Sequence, residues 1–206
     1  DAGTSGGIWG LKNGYCLMVG GDQAAVAHVE PVFKNLAPKD GYRHVGPAGS
    51  GHFVKMVHNG IEYGMLQAYA EGFEIMKTSP YKLDLAGISR LWNQGSVVRS
   101  WLLELAEEAF AKNPSLEGIA GYVEDSGEGR WTVQAAVEQN VPTIVVAAIM
   151  PASKQVAMSS SIKSRLKLSN NEKTISEVAT AVSSMKLIWP YSSLVELWSI
   201  LIIGVW

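Results

Sequence analysis

Apolar positions along this chain follow two rhythms. Over the first 49 residues they come in short runs bounded by glycine: residues 15–20 (YCLMVG) and 42–46 (YRHVG) each read as a strand. Between them Asp22 is placed to cap a helix that runs to about Leu36. From Ser50 the spacing becomes helical, with Phe53, Met56, Val57, Ile61, Met65, Tyr69, Phe73 and Met76 recurring along residues 50–78, which predicts one long helix. So much apolar surface around its circumference predicts a helix buried on most sides. Asp84 and Ser96 read as N-caps for helices over 84–93 and 96–112, where Val97, Val98, Trp101, Leu102, Leu105, Ala109 and Phe110 keep helical spacing. Pro114, Gly118 and Gly121 break that pattern; a helix over 131–138 and an apolar one from about Pro142 follow. The fold class expected is mainly α over residues 50–150, preceded by a small β/α piece.

The long helix carries a second pattern. At about 100° per residue, Asn59 falls roughly 40° to one side of Lys55, Glu62 roughly 20° to the other, and His58 roughly 60° away on the Glu62 side. An amine, an imidazole, an amide and a carboxylate therefore share one wall. Gly60 and Gly64 lie on the opposite face. Each glycine costs about 1 kcal/mol relative to alanine in a helix, a cost that makes sense where another backbone comes close. A helix packed on one side and polar on the other would turn its polar wall to a cleft. In such a place a lysine whose charge is disfavoured by burial can serve as a general base, and a carboxyl held protonated can serve as an acid.

Three separated motifs in order, SGG at residues 5–7, KMVHNGIEY at 55–63 and GEGRWT at 127–132, closely resemble the 6-phosphogluconate dehydrogenase family. The resemblance runs from Asp1 to about Ala148, and GTSGGIWG and EDSGEGRWT look most like its shorter bacterial type. It implies an all-helical C-terminal domain preceded by the short β/α remnant of a Rossmann-like coenzyme domain. It also implies oxidative decarboxylation: 6-phosphogluconate and NADP or NAD become ribulose 5-phosphate, carbon dioxide and reduced coenzyme. Lys55 matches the family's base and Glu62 its acid. Ser5, Gly6 and Gly7 match the turn that holds the sugar-acid end of the substrate. His58 and Asn59 match substrate contacts, with Lys55 and Asn59 also near the nicotinamide. Tyr63 matches a tyrosine on the substrate phosphate, Arg130 a phosphate-binding cation able to grip through two hydrogen bonds, and Thr132 a further hydroxyl donor. Taken singly these residues have ordinary uses: SGG is a turn signal, His58 a partly buried histidine, Tyr63 a core residue, Arg130 a solvated one. Their order along the chain is what carries the resemblance.

Composition narrows the classes. The chain has 206 residues, 47% hydrophobic and 17% charged, with a formal net charge of −2 and no basic run, which argues against a nucleic-acid partner. Cys16 is the lone cysteine, so no internal disulfide forms, which fits a cytoplasmic protein, and no Cys/His cluster has metal-ligand spacing. No G-x-G-x-x-G occurs to receive a pyrophosphate. The chain opens at Asp1 inside what reads as a loop. The expectation is a part of a longer enzyme that lacks most of the coenzyme domain and does not turn over alone.

Past about Ile149 the composition changes, with Ser159, Ser160 and Ser161 in a row. The position at which family members carry a further phosphate-binding arginine falls on Ser153, a loss that weakens the expected grip on phosphate. The last stretch, MKLIWPYSSLVELWSILIIGVW, approaches the length of a membrane span, but Lys186, Pro190 and Glu196 interrupt it. An aberrant tail is preferred over a dimer-forming helix, and membrane attachment ranks last. The expected division is 1–49 for the coenzyme-domain remnant, 50–152 for the helical substrate domain and 153–206 for a divergent tail, in a parent enzyme that is a homodimer. Two rival readings stay open: a non-catalytic helical dimerisation or interaction module, and another β-hydroxyacid dehydrogenase, which would share Lys55 and Asn59 but need neither Glu62 nor Arg130.

Overall fold

The computed structural model describes residues 1–117 and 127–148. Gly118, Gly121, Ser153 and the apolar C-terminal stretch lie outside the described residues. The mainly α expectation holds: seven α-helices stand beside one three-stranded sheet among the described residues.

The sheet is built from β1 (Ala2–Ser5), β2 (Cys16–Gly20) and β3 (Tyr42–Gly46) in that order. A 3-10 turn over Gly7–Trp9 and the one-turn helix α1 (Gly10–Asn13) bring the chain from β1 back along β2, antiparallel, with Gly3 opposite Met18 and Ser5 opposite Cys16. Helix α2 (Gln23–Leu36) is the crossover that sets β3 parallel to β2. Its cap is the expected one: the Asp22 carboxylate accepts from the amides of Ala24 and Ala25. Leu17, Val19 and Val26 form a small core here, extended by Phe33 stacked on Tyr42.

Strand β1 is absent from the sequence reading. AGTS has none of the β-branched or aromatic run that marks a strand; it is a strand because its backbone pairs with β2 and because Gly3 leaves room for the next helix. A β-carbon at Gly3 would collide with the Lys55 side chain and the Gly51 carbonyl.

Helix α3 spans Ser50–Thr78, as its spacing predicts, and packs against all three strands. Gly49 before it has no side chain with which to cap it. The cap comes from Asp1, whose carboxylate accepts from the amides of Gly49 at 2.6 Å and His52 at 2.8 Å. The start of β1 is thereby tied to the start of α3, and a negative charge sits where the helix dipole favours one.

The expectation of burial around most of α3 is corrected. Phe53, Ile61 and Met65 are 44%, 58% and 38% exposed. The buried positions are Gly51, Asn59, Gly60, Glu62, Tyr63, Leu66, Ala70 and Phe73. Apolar character alone does not say which face a neighbour covers. Toward its C-terminal end α3 joins α4 (Leu85–Asn93) and α5 (Trp101–Lys112) in the main core, where Phe73 meets Phe110 edge-on at 4.9 Å. Glu107 clasps α4 to α5, accepting from Arg90 at 2.8 Å and Asn93 at 3.1 Å.

Asp84 caps α4 as expected, accepting from the amide of Gly87. Ser96 does not cap α5. Its hydroxyl accepts from the Val98 amide in a turn, and Ser100 takes the N-cap role, accepting from the amide of Leu103. Two serines four residues apart offer the same signal; the Tyr69 hydroxyl, which bonds Ser100 Oγ at 2.8 Å and donates to the Val98 carbonyl, favours the second. Val97, counted into the helical stripe, is fully exposed in that turn. Helix α6 (Glu128–Glu138) opens one turn earlier than expected, at Gly127, and α7 is described over Ile144–Ala148.

Candidate functional site

Helix α3 holds Lys55, His58, Asn59 and Glu62 together as the helical arithmetic requires. Asn59 is 1% exposed and Glu62 9%, while Lys55 and His58 are half-buried. His58 Nδ1 is the hub: it lies 3.0 Å from Asn59 Oδ1, 3.5 Å from Lys55 Nζ and 3.8 Å from Glu62 Oε2. An amide oxygen only accepts, so Nδ1 carries the hydrogen, and in the neutral ring Nε2 keeps the lone pair. The same Nδ1–H finds an acceptor in Lys55 only when the amine is neutral. Among the described residues the buried Asn59 Nδ2 has no hydrogen-bond partner.

Burial moves all three ionisable groups in the direction of their uncharged forms. Burial holds the Lys55 pKa below its ordinary lysine value, partly offset by Glu62, Glu128 and Cys16. Burial likewise lifts the Glu62 carboxyl above the ordinary carboxylate range; Lys55 opposes the rise and Glu128 adds to it. His58 is held low by burial, with its bond to Asn59 acting against this and Lys55 in support. A neutral amine and a protonated carboxyl two turns apart can take a proton and give one.

Beside this wall, at Met56 and Gly60, about 100° and 140° round the helix from Lys55, α3 is clamped to α6. The Thr132 hydroxyl donates to the Met56 carbonyl at 2.7 Å and lies 2.9 Å from the Glu128 carbonyl. A β-carbon at Gly60 would stand 2.6 Å from the Thr132 methyl, and Gly64 faces Val145 of α7. Gly60 therefore serves a close approach, here to a threonine side chain and not to backbone, whereas a β-carbon at Gly64 would meet Val145 at 3.5 Å, an ordinary contact that does not require glycine. Thr132 is buried and its hydroxyl hydrogen is directed at main-chain carbonyls, so the structure gives it the work of joining two helices.

The other expected residues fall around this wall. Ser5 ends β1, half-buried, and Gly6 and Gly7 turn the chain directly beyond it. Because Gly3 sits over Lys55 and strand side chains alternate, Ser5 is on the α3 side of the sheet with its partner Cys16. Tyr63 is packed into the main core with Leu66 and Phe73. Arg130 lies half-buried in the first turn of α6.

Two site residues escape the sequence reading. Glu128 acts electrostatically on both Lys55 and Glu62; counting back four from Thr132 places it on the same helix face. Gly3 admits Lys55 to the sheet, and its signal is its place two residues before Ser5. Among the described residues no group of His, Cys, Asp and Glu is arranged to hold a metal, and no helix is long and apolar enough to cross a membrane.

Comparison with known proteins agrees with the motifs. Residues 51–191 match the family model of the 6-phosphogluconate dehydrogenase C-terminal domain, and residues 1–46 that of the NAD binding domain of 6-phosphogluconate dehydrogenase. The first match continues past Ala148, where the resemblance read from sequence stops. The chain is 52% identical over 147 residues to YqeC of Bacillus subtilis, covering 71% of this chain and 50% of that protein. It is 51% identical over 148 residues to the NAD(+)-dependent, decarboxylating 6-phosphogluconate dehydrogenase of Haloferax volcanii, with the same two coverages. The chain thus spans about half the length of these curated relatives. Among solved structures, Plasmodium falciparum 6-phosphogluconate dehydrogenase superposes with a TM-score of 0.65 at 28% identity, covering 98% of this chain and 43% of that one. A 3-hydroxyisobutyrate dehydrogenase from Salmonella typhimurium, 17% identical with a TM-score of 0.59 over 78% of this chain and 54% of its own, shares the fold.

Proposed function

The chain belongs to the 6-phosphogluconate dehydrogenase family, and we propose that it supplies the substrate-binding wall and the acid–base pair for oxidative decarboxylation of 6-phosphogluconate to ribulose 5-phosphate and carbon dioxide. The observation that carries this reading is the pair itself: Lys55 and Glu62 share one wall of α3, and burial moves both toward their neutral forms.

In this reading neutral Lys55 accepts the 3-hydroxyl proton at Nζ as C3 is oxidised. The product is a ketone β to a carboxylate, and its C1–C2 bond breaks to release carbon dioxide and leave an enediol. Lys55 returns its proton to the developing oxygen; protonated Glu62 then delivers a proton to the carbon that lost the carboxylate, while Lys55 takes the proton back from that oxygen as the ketone of ribulose 5-phosphate forms. The Ser5–Gly7 turn and His58 are assigned to the sugar acid, and Arg130, with Tyr63 reaching out of the core, to its phosphate. Thr132 contributes by fixing α6, and with it Arg130, against α3. NADP or NAD supplies the hydride acceptor when bound. The Nδ2 of Asn59 beside Lys55, which has no partner among the described residues, fits a nicotinamide neighbour, and these two residues are the ones assigned to it. The division that goes with the reading is a coenzyme-domain remnant at 1–49, the substrate domain at 50–152 and a tail at 153–206, in a cytoplasmic homodimer.

Calorimetry tests this with 6-phosphogluconate as ligand, gluconate as its phosphate-free control, and Lys55→Ala and Arg130→Ala alongside. Selective binding weakened by Arg130→Ala supports the reading; a folded chain that binds neither compound overturns it for this stretch. A second reading, a helical association module, is favoured by exposed Phe53, Ile61 and Met65 on α3. Concentration-dependent dimerisation with no ligand binding would support that one.

A further inference from the structure

We propose that Glu128 is a third ionisable member of the site, a positioning residue that presents a carboxylate to the Lys55–Glu62 wall from the first turn of α6 and sets how protons are shared across it. The inference rests on the acid–base reading above, and its test needs no substrate.

The placement follows from how α6 is docked. Glu128 and Thr132 are four residues apart and so lie on one face of the helix. Thr132 is fixed on α3 by its bond to the Met56 carbonyl and its contact with Gly60, and the Glu128 carbonyl lies 2.9 Å from the same hydroxyl. Half-buried Glu128 therefore enters on the α3 side, near the residue that follows Lys55. A charge there reaches both members of the pair, and Glu128 is a Coulomb partner of each.

The groups that face Lys55 are Glu62 and His58 from its own helix, Glu128 from α6 and Cys16 from β2. Of these, Glu128 alone stands to favour a proton on both Lys55 and Glu62. Its negative charge stabilises the Lys55 ammonium and opposes ionisation of Glu62. The loss of proton affinity that burial imposes on the amine is thus partly offset, and the rise it imposes on the acid is reinforced. No step has Glu128 touch the substrate; it acts through the pair.

The test is a titration of the lysine Cε and glutamate Cδ signals of this chain by NMR, assigned with Lys55→Met and Glu62→Gln. Isosteric Glu128→Gln, charge-conserving Glu128→Asp and, as a distant control on the same helix, Glu138→Gln are compared with the wild type. The expected result is that Glu128→Gln moves the Lys55 and Glu62 midpoints down together, while Glu128→Asp and Glu138→Gln leave both near their wild-type positions. Unmoved midpoints in Glu128→Gln overturn the proposal. So does an equal displacement in Glu128→Asp, since that would report packing instead of charge. Should Glu128→Gln fail to fold, wild-type midpoints in Glu128→Asp against displaced ones in Glu128→Ala support the proposal, and equal ones reject it. Loss of 6-phosphogluconate binding with coupled titration intact would fail the substrate assignment and leave Glu128's role standing.

Discussion

On one side of α3, Gly60 lies so close to Thr132 that a β-carbon there would stand 2.6 Å from the threonine methyl; on the other, Lys55, His58, Asn59 and Glu62 line a wall with one buried amide donor left over among the described residues. Both sides are buried, with opposite consequences. Against α6 burial is close packing, completed by one hydrogen bond to a main-chain carbonyl. Along the polar wall it removes water from an amine, an imidazole and a carboxyl, which costs stability and shifts each toward its neutral form. The packed side is rigid enough to keep the other in place. Substitutions on the wall should therefore change chemistry with little loss of stability, and those on the packed side the reverse.

The largest effect expected is on chemistry. If the proposed function holds, Lys55→Met in a protein that carries a whole coenzyme domain should lower the decarboxylation rate by about 10²–10⁴-fold, the usual weight of a general base, while urea unfolding stays close to wild type. A rate within a few-fold of wild type would remove Lys55 from the mechanism.

On the packed side Gly60→Ala should destabilise the chain by about 1–3 kcal/mol, because Thr132 cannot retreat without giving up its bond to Met56. Thr132→Val, which keeps the shape and loses the hydrogen bond, should cost about 1 kcal/mol. Gly72 on the same helix has nothing within 4 Å of the position its β-carbon would take. Gly72→Ala should therefore stabilise by about 1 kcal/mol through helix propensity. If Gly60→Ala and Gly72→Ala shift the urea midpoint in the same direction, close approach is not what Gly60 is for.

The polar wall was legible in the sequence because it depends only on the 3.6-residue turn, which no neighbour alters. For the same reason the span of α3 and the Asp22 and Asp84 caps could be read directly. What escaped depends on contacts distant in sequence. Strand β1 has Thr4 as its one strand-forming residue and exists through pairing with β2. Ser100 prevails over Ser96 as a cap through Tyr69, 31 residues away from Ser100. The cap of α3 is supplied by Asp1 from 48 residues upstream of Gly49. Glu128 reads as an ordinary acid at a helix start until α6 is docked on α3. Phe53, Ile61 and Met65 were expected inside because a helix's period shows where apolar residues fall but not which of its faces is covered.

The smallest effect expected tests the cost of burial on the polar wall, and its sign is fixed by which state holds the proton. Burial lifts the Glu62 carboxyl in the folded chain above its value in the unfolded chain, so between those two values the folded state binds more protons. Stability from this group then falls as pH rises through that window, and its penalty is complete above the folded value. Lys55 and His58 are held low, so their penalties run the other way: each is present below its folded value and is relieved as pH rises toward its unfolded value. Because His58 and Glu62 work in opposite directions between acid and neutral pH, the wild-type profile alone cannot separate them. The difference between Glu62→Gln and wild type can. That difference should favour the variant at neutral pH and shrink as pH is lowered past the ordinary carboxylate range, in urea unfolding run from pH 4 to pH 8, values chosen to bracket the ordinary carboxylate and histidine pKa values of about 4.3 and about 6.5. A variant less stable than wild type at neutral pH would mean that attraction to Lys55 outweighs the desolvation of Glu62. The pair would then be an ion pair in the resting protein, and Glu62 would have no proton to give.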